Sequence, residues 1–561
     1  MSKRLNGKTL FFTTSPRSPL KMIPEISLLA DNFSGKIWNK NTQTAFIELL
    51  AKDPNFEGEG FNGDLAFSAR DRINRAPKSL GFINLNPNIQ LTEVGKLFVL
   101  NKRKEEILLR QLLKFQLPSP YHIQGENNTF WVKPYLEILR LIKQLETITF
   151  DEMCIFAMQL TDFHKFDLIV NKILAFRNEK EHNAGNYKRF YRSIVIRELR
   201  EIYAEEIANN RLETRESTDN TLQKFINTKR SNLRDYTDAC FRYLRATGLV
   251  AISHKGRSIS IMPDKIADVD YILSNIDRTP VFVENMVAYK NYLFNSCVPK
   301  LYTDNKDNLI DYILRHSEKT RNQVECLDVE QLKDLRDDII DENKNSIVQA
   351  QIKKLKSYSL YNEVIDTYNE IISDELYDIP LMLEWNTWRA MTMLDGGCIT
   401  GNFKIDDAGQ PLSTASGNVA DIVCDYGEFG LTVEVTMQNG QRQYETEGEP
   451  VARHLAKYKK TANKEAFCLF IAPQINEACV AHFYTLTKTN ISYYGGKSII
   501  VPLPLEVFMK MVENSYSAKF VPTPEHIKGL FDFAKNSAEK SMDEKQWFNA
   551  VQEKALTWLS A

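Results

Sequence analysis

The chain has 561 residues, 43% of them hydrophobic and 26% charged, with a formal net charge of −2. That composition describes an ordinary globular protein of about two to four domains, and no apolar run approaches the roughly 20 residues that span a bilayer. The opening MSKRLNGKTLFF lacks the apolar core of a secretory signal, which predicts a cytoplasmic protein without membrane contact.

Eight scattered cysteines with no Cys-x-x-Cys pair predict buried thiols in a reducing compartment. The single Cys479/His482 pair has no second pair nearby to complete a zinc site. Charge is uneven. Residues 1–285 carry roughly 42 Lys and Arg against 34 Asp and Glu, and residues 286–561 roughly 29 against 39. A net of about +8 against about −10 points to nucleic acid on the first half.

In chain order, Ser68 to Leu80 reads as a polar, basic helix with Ser68 as N-cap and Pro77 ending it early. Leu80-Gly-Phe-Ile83, the Asn86-Pro-Asn88 turn, Ile89-Gln-Leu91 and a helix start at Thr92 follow. Helix, strand, turn, strand is the order of a winged helix-turn-helix. Arg70, Asp71, Arg72, Asn74, Arg75 and Lys78 lie on or beside this helix. Arg can grip guanine and Asn adenine with paired hydrogen bonds, although a solvated charged face is the ordinary fate of such a helix.

Residues 134–225 read as mostly helical. A second such unit begins at 232–247, with Tyr236, Cys240, Tyr243, Leu244 and Thr247 on one face and Arg234 and Arg242 elsewhere. Residues 248–252 and 258–261 form its wing, with Lys255 and Arg257 at the tip for phosphates and His254 a turn residue.

No glycine occurs between Gly256 and Gly396, and apolar residues recur there at three- and four-residue spacing, so residues 286–375 read as a helical linker. Asp378 to Leu394 reads as a helix carrying Glu384, Trp385 and Trp388, the tryptophans as core. Asp421 opens an apolar segment and Glu434 sits inside another, Leu431-Thr-Val-Glu-Val-Thr436, bracketed by Asp425-Tyr-Gly and Asn439-Gly turns. Alternation places Thr432, Glu434 and Thr436 on one face.

An acid in mid-strand beside another at a strand head is costly to bury unless a cation lies between them. Hard oxygens of this kind suit Mg²⁺, which activates water and neutralises charge on a phosphate. Glu445-Thr-Glu-Gly-Glu449 reads as an acidic loop, followed by a helix starting near Pro450 that puts His454, Lys457 and Tyr458 on one face. Residues 466–472 and 497–502 read as buried strands of the same sheet. No Gly-rich nucleotide loop is present.

Asp, hairpin and Glu-x-Lys is the pattern of the PD-(D/E)xK nuclease core, which this region resembles, with Thr436 where the lysine is expected. The Glu-Val-Thr version with Glu447 and Glu-Pro-Val-x-Arg-His454 is similar to the AlwI family of type IIS restriction and nicking endonucleases. Leu383-Glu-Trp-Asn-Thr-Trp388, residues 468–475, Thr14-Ser-Pro-Arg-Ser-Pro19 with Arg17, and residues 67–73 and 78–82 match in the same order.

The resemblance implies an α+β multidomain chain: a DNA-recognition domain with winged-helix subdomains (1–285), the helical linker (286–375) and a nuclease domain with a mixed central sheet (376–561). It implies Mg²⁺-dependent hydrolysis of DNA phosphodiester bonds leaving 5′-phosphates, with Mn²⁺ able to substitute. Asp421 and Glu434 would hold the metal, Glu447 and Glu384 add to the acidic site, and His454 assists, while either His454 or Lys457 on the helix after the hairpin could take the place of the missing lysine. Family members read pentanucleotides such as GGATC or GAGTC, of which the GGATC type is favoured. The implied setting is the bacterial cytoplasm. The implied partners are double-stranded DNA, a methyltransferase sharing the target, and a transient second copy or separate subunit for the second strand. The alternative is a winged-helix DNA-binding protein whose carboxylate domain no longer cuts.

Overall fold

The computed structural model describes residues 3–5, 7–16, 18–53, 63–125, 130–214, 217–253, 258–373, 376, 378–394, 397–406, 408–415 and 419–559. Arg17, His254, Lys255 and Arg257 lie outside the described residues. The chain divides into two compact units, Met1–Ile339 and Ile340–Ala561.

In the first unit, α1 (Leu65–Ile73) starts three residues before Ser68, because the Asp64 carboxylate accepts from Phe67 N at 3.1 Å and caps it. Ser68 sits inside the helix, its hydroxyl turned back to Asp64 O. The helix breaks at Arg75, whose backbone leaves the helical region, and α2 (Ala76–Ser79) takes Pro77 in its first turn, where the missing N–H is harmless. β1 (Ile83–Asn84) and β2 (Gln90–Leu91) pair antiparallel across the Asn86-Pro87 turn. Thr92 then caps α3 (Glu93–Leu100), its hydroxyl accepting from Gly95 N at 2.9 Å. A Cβ on Gly95 would lie 1.9 Å from Phe82 O, so only glycine lets α3 sit against the ribbon. Leu29, Phe46, Ile47, Ile73, Ile83 and Ile89 form the core beneath it.

The region read as helical at 134–225 also supplies a strand, β3 (Thr147–Thr149). The helix read at 232–247 is longer, α4 (Leu222–Arg245), and buries Cys240, Tyr243 and Leu244. β4 (Val250–Ile252) and β5 (Ser258–Ile261) follow, and the sheet order is β3-β5-β4. Where two strands are expected from the sequence, the sheet has three. Three residues between helices are too short for alternation to betray β3.

The described residues of 286–375 are mostly helical, as the missing glycines imply, and include α5 (Met286–Phe294) and α6 (Val329–Lys356). The division between the two units falls inside α6.

The second unit opens on α7 (Tyr361–Ile372) and α8 (Ile379–Leu394), the latter buried from Leu381 to Leu394, with Trp385 and Trp388 in the core. The five-stranded sheet comprises β6 (Cys398–Gly401), β7 (Ile422–Asp425), β8 (Phe429–Val435), β9 (Glu465–Ala472) and β10 (Ile500–Pro504), in the order β10-β9-β8-β7-β6. β8, β9 and β10 run parallel while β7 and β6 pair antiparallel, so the sheet is mixed. The helix α9 (Gly440–Ala462) connects β8 to β9 as a parallel crossover requires, and α10 (Glu477–Lys488) joins β9 to β10.

The sequence expectation fails in one place here. α9 begins at Gly440, not near Pro450, so Pro450 lies in its interior and Glu445–Glu449 is helix, not loop. Proline fits a first helical position so well that it hid the turns before it. The expectation that the thiols are all buried also fails: Cys297, Cys326 and Cys398 are exposed, and no cysteine is disulfide-bonded. No helix among the described residues is long and apolar enough to cross a membrane.

Candidate active site

The hairpin β7–β8 sets the first two carboxylates. Ile422 pairs with Val433, so Asp421, one step before β7, comes beside Glu434, and Asp421 Oδ2 accepts from Val435 N at 2.8 Å. The Asp421 backbone in turn hydrogen-bonds Glu434 and is tied to β6 through Asn402 N at 2.8 Å. The turn that closes the hairpin is fixed by Gly427 N donating to Asp425, which also holds Lys464 at 2.7 Å. On the next strand position, Gly430 has no Cβ because the Tyr458 ring of α9 covers it; one built there would lie 2.3 Å from the ring. This approach fastens α9 over the strand that carries Glu434.

The correction to α9 matters most at this point. Glu447 and His454 are seven residues apart on one continuous helix, two turns along the same face. His454 Nδ1 meets Glu434 Oε1 at 2.9 Å, both side chains nearly buried, while His454 Nε2 is buried with no hydrogen-bonding partner among the described residues. Glu447 accepts from the hydroxyls of Thr446 and of Thr436. Thr436 thus ties the end of β8 to helix α9. The signal for it was in the sequence, since Thr436 shares the face of Glu434. Glu384 on α8 is buried and accepts from Ala415 N at 2.9 Å.

Burial first, then the negative charges of Glu447 and Glu384, push the Glu434 carboxyl well above its ordinary value. Burial raises Glu447 as well, against the two threonine hydroxyls. Burial first, then Arg453, lowers His454 to about 4, so its ring is neutral near pH 7. The His454–Glu434 contact is therefore a hydrogen bond between groups that burial drives toward neutrality, not a conventional ion pair. Among the described residues no group of three or more His, Cys, Asp or Glu is placed to hold a metal ion. The donor set nevertheless fits a hard divalent cation. It is made of oxygens, it crowds negative charge around Glu434, and Mg²⁺ commonly takes only one or two carboxylates, completing its shell with water and substrate phosphate.

Over residues 78–511 the sequence matches the family described as AlwI restriction endonuclease. The chain belongs to that family. Among solved structures, this AlwI-family chain matches the small subunit of the heterodimeric restriction endonuclease R.BspD6I, with 26% identity, 36% of this chain and 96% of that one covered, and a TM-score of 0.29. No curated protein matches the chain. The family makes the protein a restriction endonuclease, a hydrolase that acts on DNA.

In the first unit the basic residues around α1 are not equivalent. Arg72 pairs with the buried Glu25, and Asn74 accepts from Trp38 Nε1 at 2.9 Å, so both brace the fold. Arg70 donates to Gln43 at 2.8 Å, and Arg75 pairs with Asp71 and reaches Thr14 at 3.0 Å. The side chains of Arg70 and Arg75 stay 40% and 43% exposed, the most open of the set. Lys78 lies over the Tyr121 ring, Arg234 over Phe150, and Arg242 pairs with Asp238.

Proposed function

We propose that this AlwI-family restriction endonuclease is of type IIS, reading a short asymmetric double-stranded DNA site, GGATC-type favoured, through its first unit. It hydrolyses phosphodiester bonds a few base pairs to one side at the Asp421–Glu434 site of its second unit. Asp421 at the head of β7 and Glu434 within the adjoining β8 correspond to the acidic pair of a PD-(D/E)xK core, and the α1–β2 and α4–β5 segments to winged helices. The observation that carries the reading is the hydrogen bond between Glu434 and His454 across the strand and the following helix, with Glu434 crowded by the like charges of Glu447 and Glu384.

Asp421 and Glu434 would hold Mg²⁺, with Mn²⁺ as substitute. A cation held there supplies an activated water and offsets phosphate charge. The protein's own groups do the rest. The Asp421–Val435 bond fixes the hairpin register, and the Thr436 and Thr446 hydroxyls orient Glu447. His454, oriented through Nδ1 by Glu434, keeps Nε2 available to hold a proton at the attacking or leaving oxygen, the part that the lysine plays in the parent pattern.

Plasmid incubated with the protein and Mg²⁺, with and without EDTA, tests this directly. Site-specific, EDTA-sensitive cutting is expected, and Glu434→Gln should abolish it while leaving DNA affinity nearly intact. Wild-type cutting by that variant would remove the site assignment. A second reading, a DNA-binding protein that no longer cuts, is favoured by Thr436 at the lysine position, and binding without cleavage in the same assay would establish it.

A further inference from the structure

A second cationic site lies where α2 and the β1–β2 turn meet helix α5. Gln111 Nε2 donates to Leu80 O at 2.5 Å and to Leu293 O at 2.9 Å, strapping the segment after α2 to helix α5. Gly81, at φ +79°, lets the two lie flush, because a Cβ there would stand 2.6 Å from the Leu293 side chain. Two lysines flank this seam, Lys78 on α2 and Lys290 on α5. Lys78 Nζ sits 4.8 Å above the Tyr121 ring, and that ring packs edge-on against Tyr289, next in the chain to Lys290. Lys290 Nζ donates to Asn84 Oδ1 and to Asn86 O, both at 3.1 Å, which aims it back over the β1–β2 turn.

Among the described residues neither ammonium has a carboxylate partner, in a unit otherwise laced with ion pairs. Both are partly buried. Burial, and for Lys78 the neighbouring Lys290 charge, lower both below the ordinary lysine value. Two like charges held together by neutral oxygens and an aromatic face are unfavourable alone and become favourable around an anion. Lys290 also spends only two of its three N–H groups on the turn. A purely structural pair would need only the Asn84 and Asn86 bonds, which do not call for a second cation.

We infer that Lys78 and Lys290 together clamp one backbone phosphate of the bound duplex, extending the DNA surface onto α5. This rests on the first unit's being the DNA-binding part. Such a contact positions the protein and carries no sequence information.

The test is binding of a labelled duplex by fluorescence anisotropy over roughly 50 to 200 mM salt, in the absence of divalent cation, for the full-length protein. Lys290→Gln should weaken binding equally for cognate and unrelated duplexes, and Lys290→Arg should restore it with an unchanged thermal midpoint. Lys78→Gln/Lys290→Gln should lose about 3.5-fold less affinity than wild type across that salt range, the signature of one phosphate released. A salt effect about 12-fold would assign the lysines to separate phosphates and overturn the shared clamp. Wild-type binding by Lys290→Gln at every salt overturns the contact itself. Absence of salt-dependent DNA binding by the wild type would instead remove the DNA-binding reading on which it rests.

Discussion

Arg72 and Arg75 are three positions apart, and their partners separate their roles. Arg72 neutralises Glu25, which burial raises and Arg72 pulls back down. Arg72→Ala strands that carboxylate and should cost about 3 kcal/mol of stability, seen as a lower urea midpoint with site discrimination preserved in the protein that remains folded. Arg75→Ala touches only an exposed pair and a surface threonine, so stability should hold within about 0.5 kcal/mol. Its loss should appear as about 1–3 kcal/mol in discrimination between cognate and single-base-changed duplexes. Equal discrimination by Arg75→Ala and wild type would take base reading away from this residue.

At the active site Thr436 orients Glu447 through its hydroxyl. Thr436→Val should lower kcat about 10-fold, the cost of one lost orienting hydrogen bond of about 1.4 kcal/mol, with DNA affinity unchanged, and Thr436→Ser should recover it. Strand alternation put Thr436 on the face of Glu434, and the turn signals put Asp421 at the head of the adjoining strand, so the neighbourhood of these three residues could be read from the sequence. The bracing by Glu25 and Trp38 was not, because partners 47 and 36 residues away leave no periodic mark.

The first turns of helix α6 are held by ion pairs as well as by apolar contacts. Arg110 grips Asp304 through both nitrogens at 2.7 Å, Lys333 of α6 reaches the same carboxylate at 3.2 Å, and Leu301 N donates to it at 2.9 Å. Burial raises Asp304, but Arg110, the Leu301 N–H and Lys333 outweigh it and hold the carboxyl at about 2. The folded value lies below the unfolded one, so the carboxylate's stabilisation is present above about pH 4 and fades as pH falls toward 2. The shift corresponds to about 2 kcal/mol. The urea-midpoint gap between wild type and Asp304→Asn should therefore be constant from pH 7 to 5 and narrow steadily below pH 4. A gap independent of pH down to 3 would show that Asp304 is not held as an ion.

Glycine scarcity made residues 286–375 legible as helix, since the signal accumulates over several turns. The start of α9 was not legible. Asn439-Gly and Pro450 both punctuate the sequence, and only packing, with Tyr458 on Gly430 and Gln443 donating to Gln438 O and Gln474 O, shows that the helix already runs between them. The boundary inside α6 left no composition change to read, because a continuous helix needs no linker residues.

At the scale of the molecule, one unit carries the basic helices and the other the Asp421–Glu434 pair, the one candidate hydrolytic site among the described residues. The strands of a duplex are antiparallel, so a single site in one orientation can attack only one of them in line. A monomer on an asymmetric sequence should therefore nick first. On the proposed one-site mechanism, cutting the second strand would take a second nuclease domain, from another copy pairing through residues 376–561 or from a separate subunit. With a second copy, second-strand cleavage should rise more steeply than linearly with enzyme concentration, and nicked plasmid should accumulate at low enzyme. With a separate subunit, the purified chain should stop at the nick at any concentration. Gel analysis of supercoiled, nicked and linear plasmid across an enzyme titration, beside sedimentation of the free protein, separates these outcomes. If a sedimenting monomer linearised plasmid without a nicked intermediate at every concentration, the one-site mechanism would be wrong, and a second hydrolytic centre would have to be sought in the first unit.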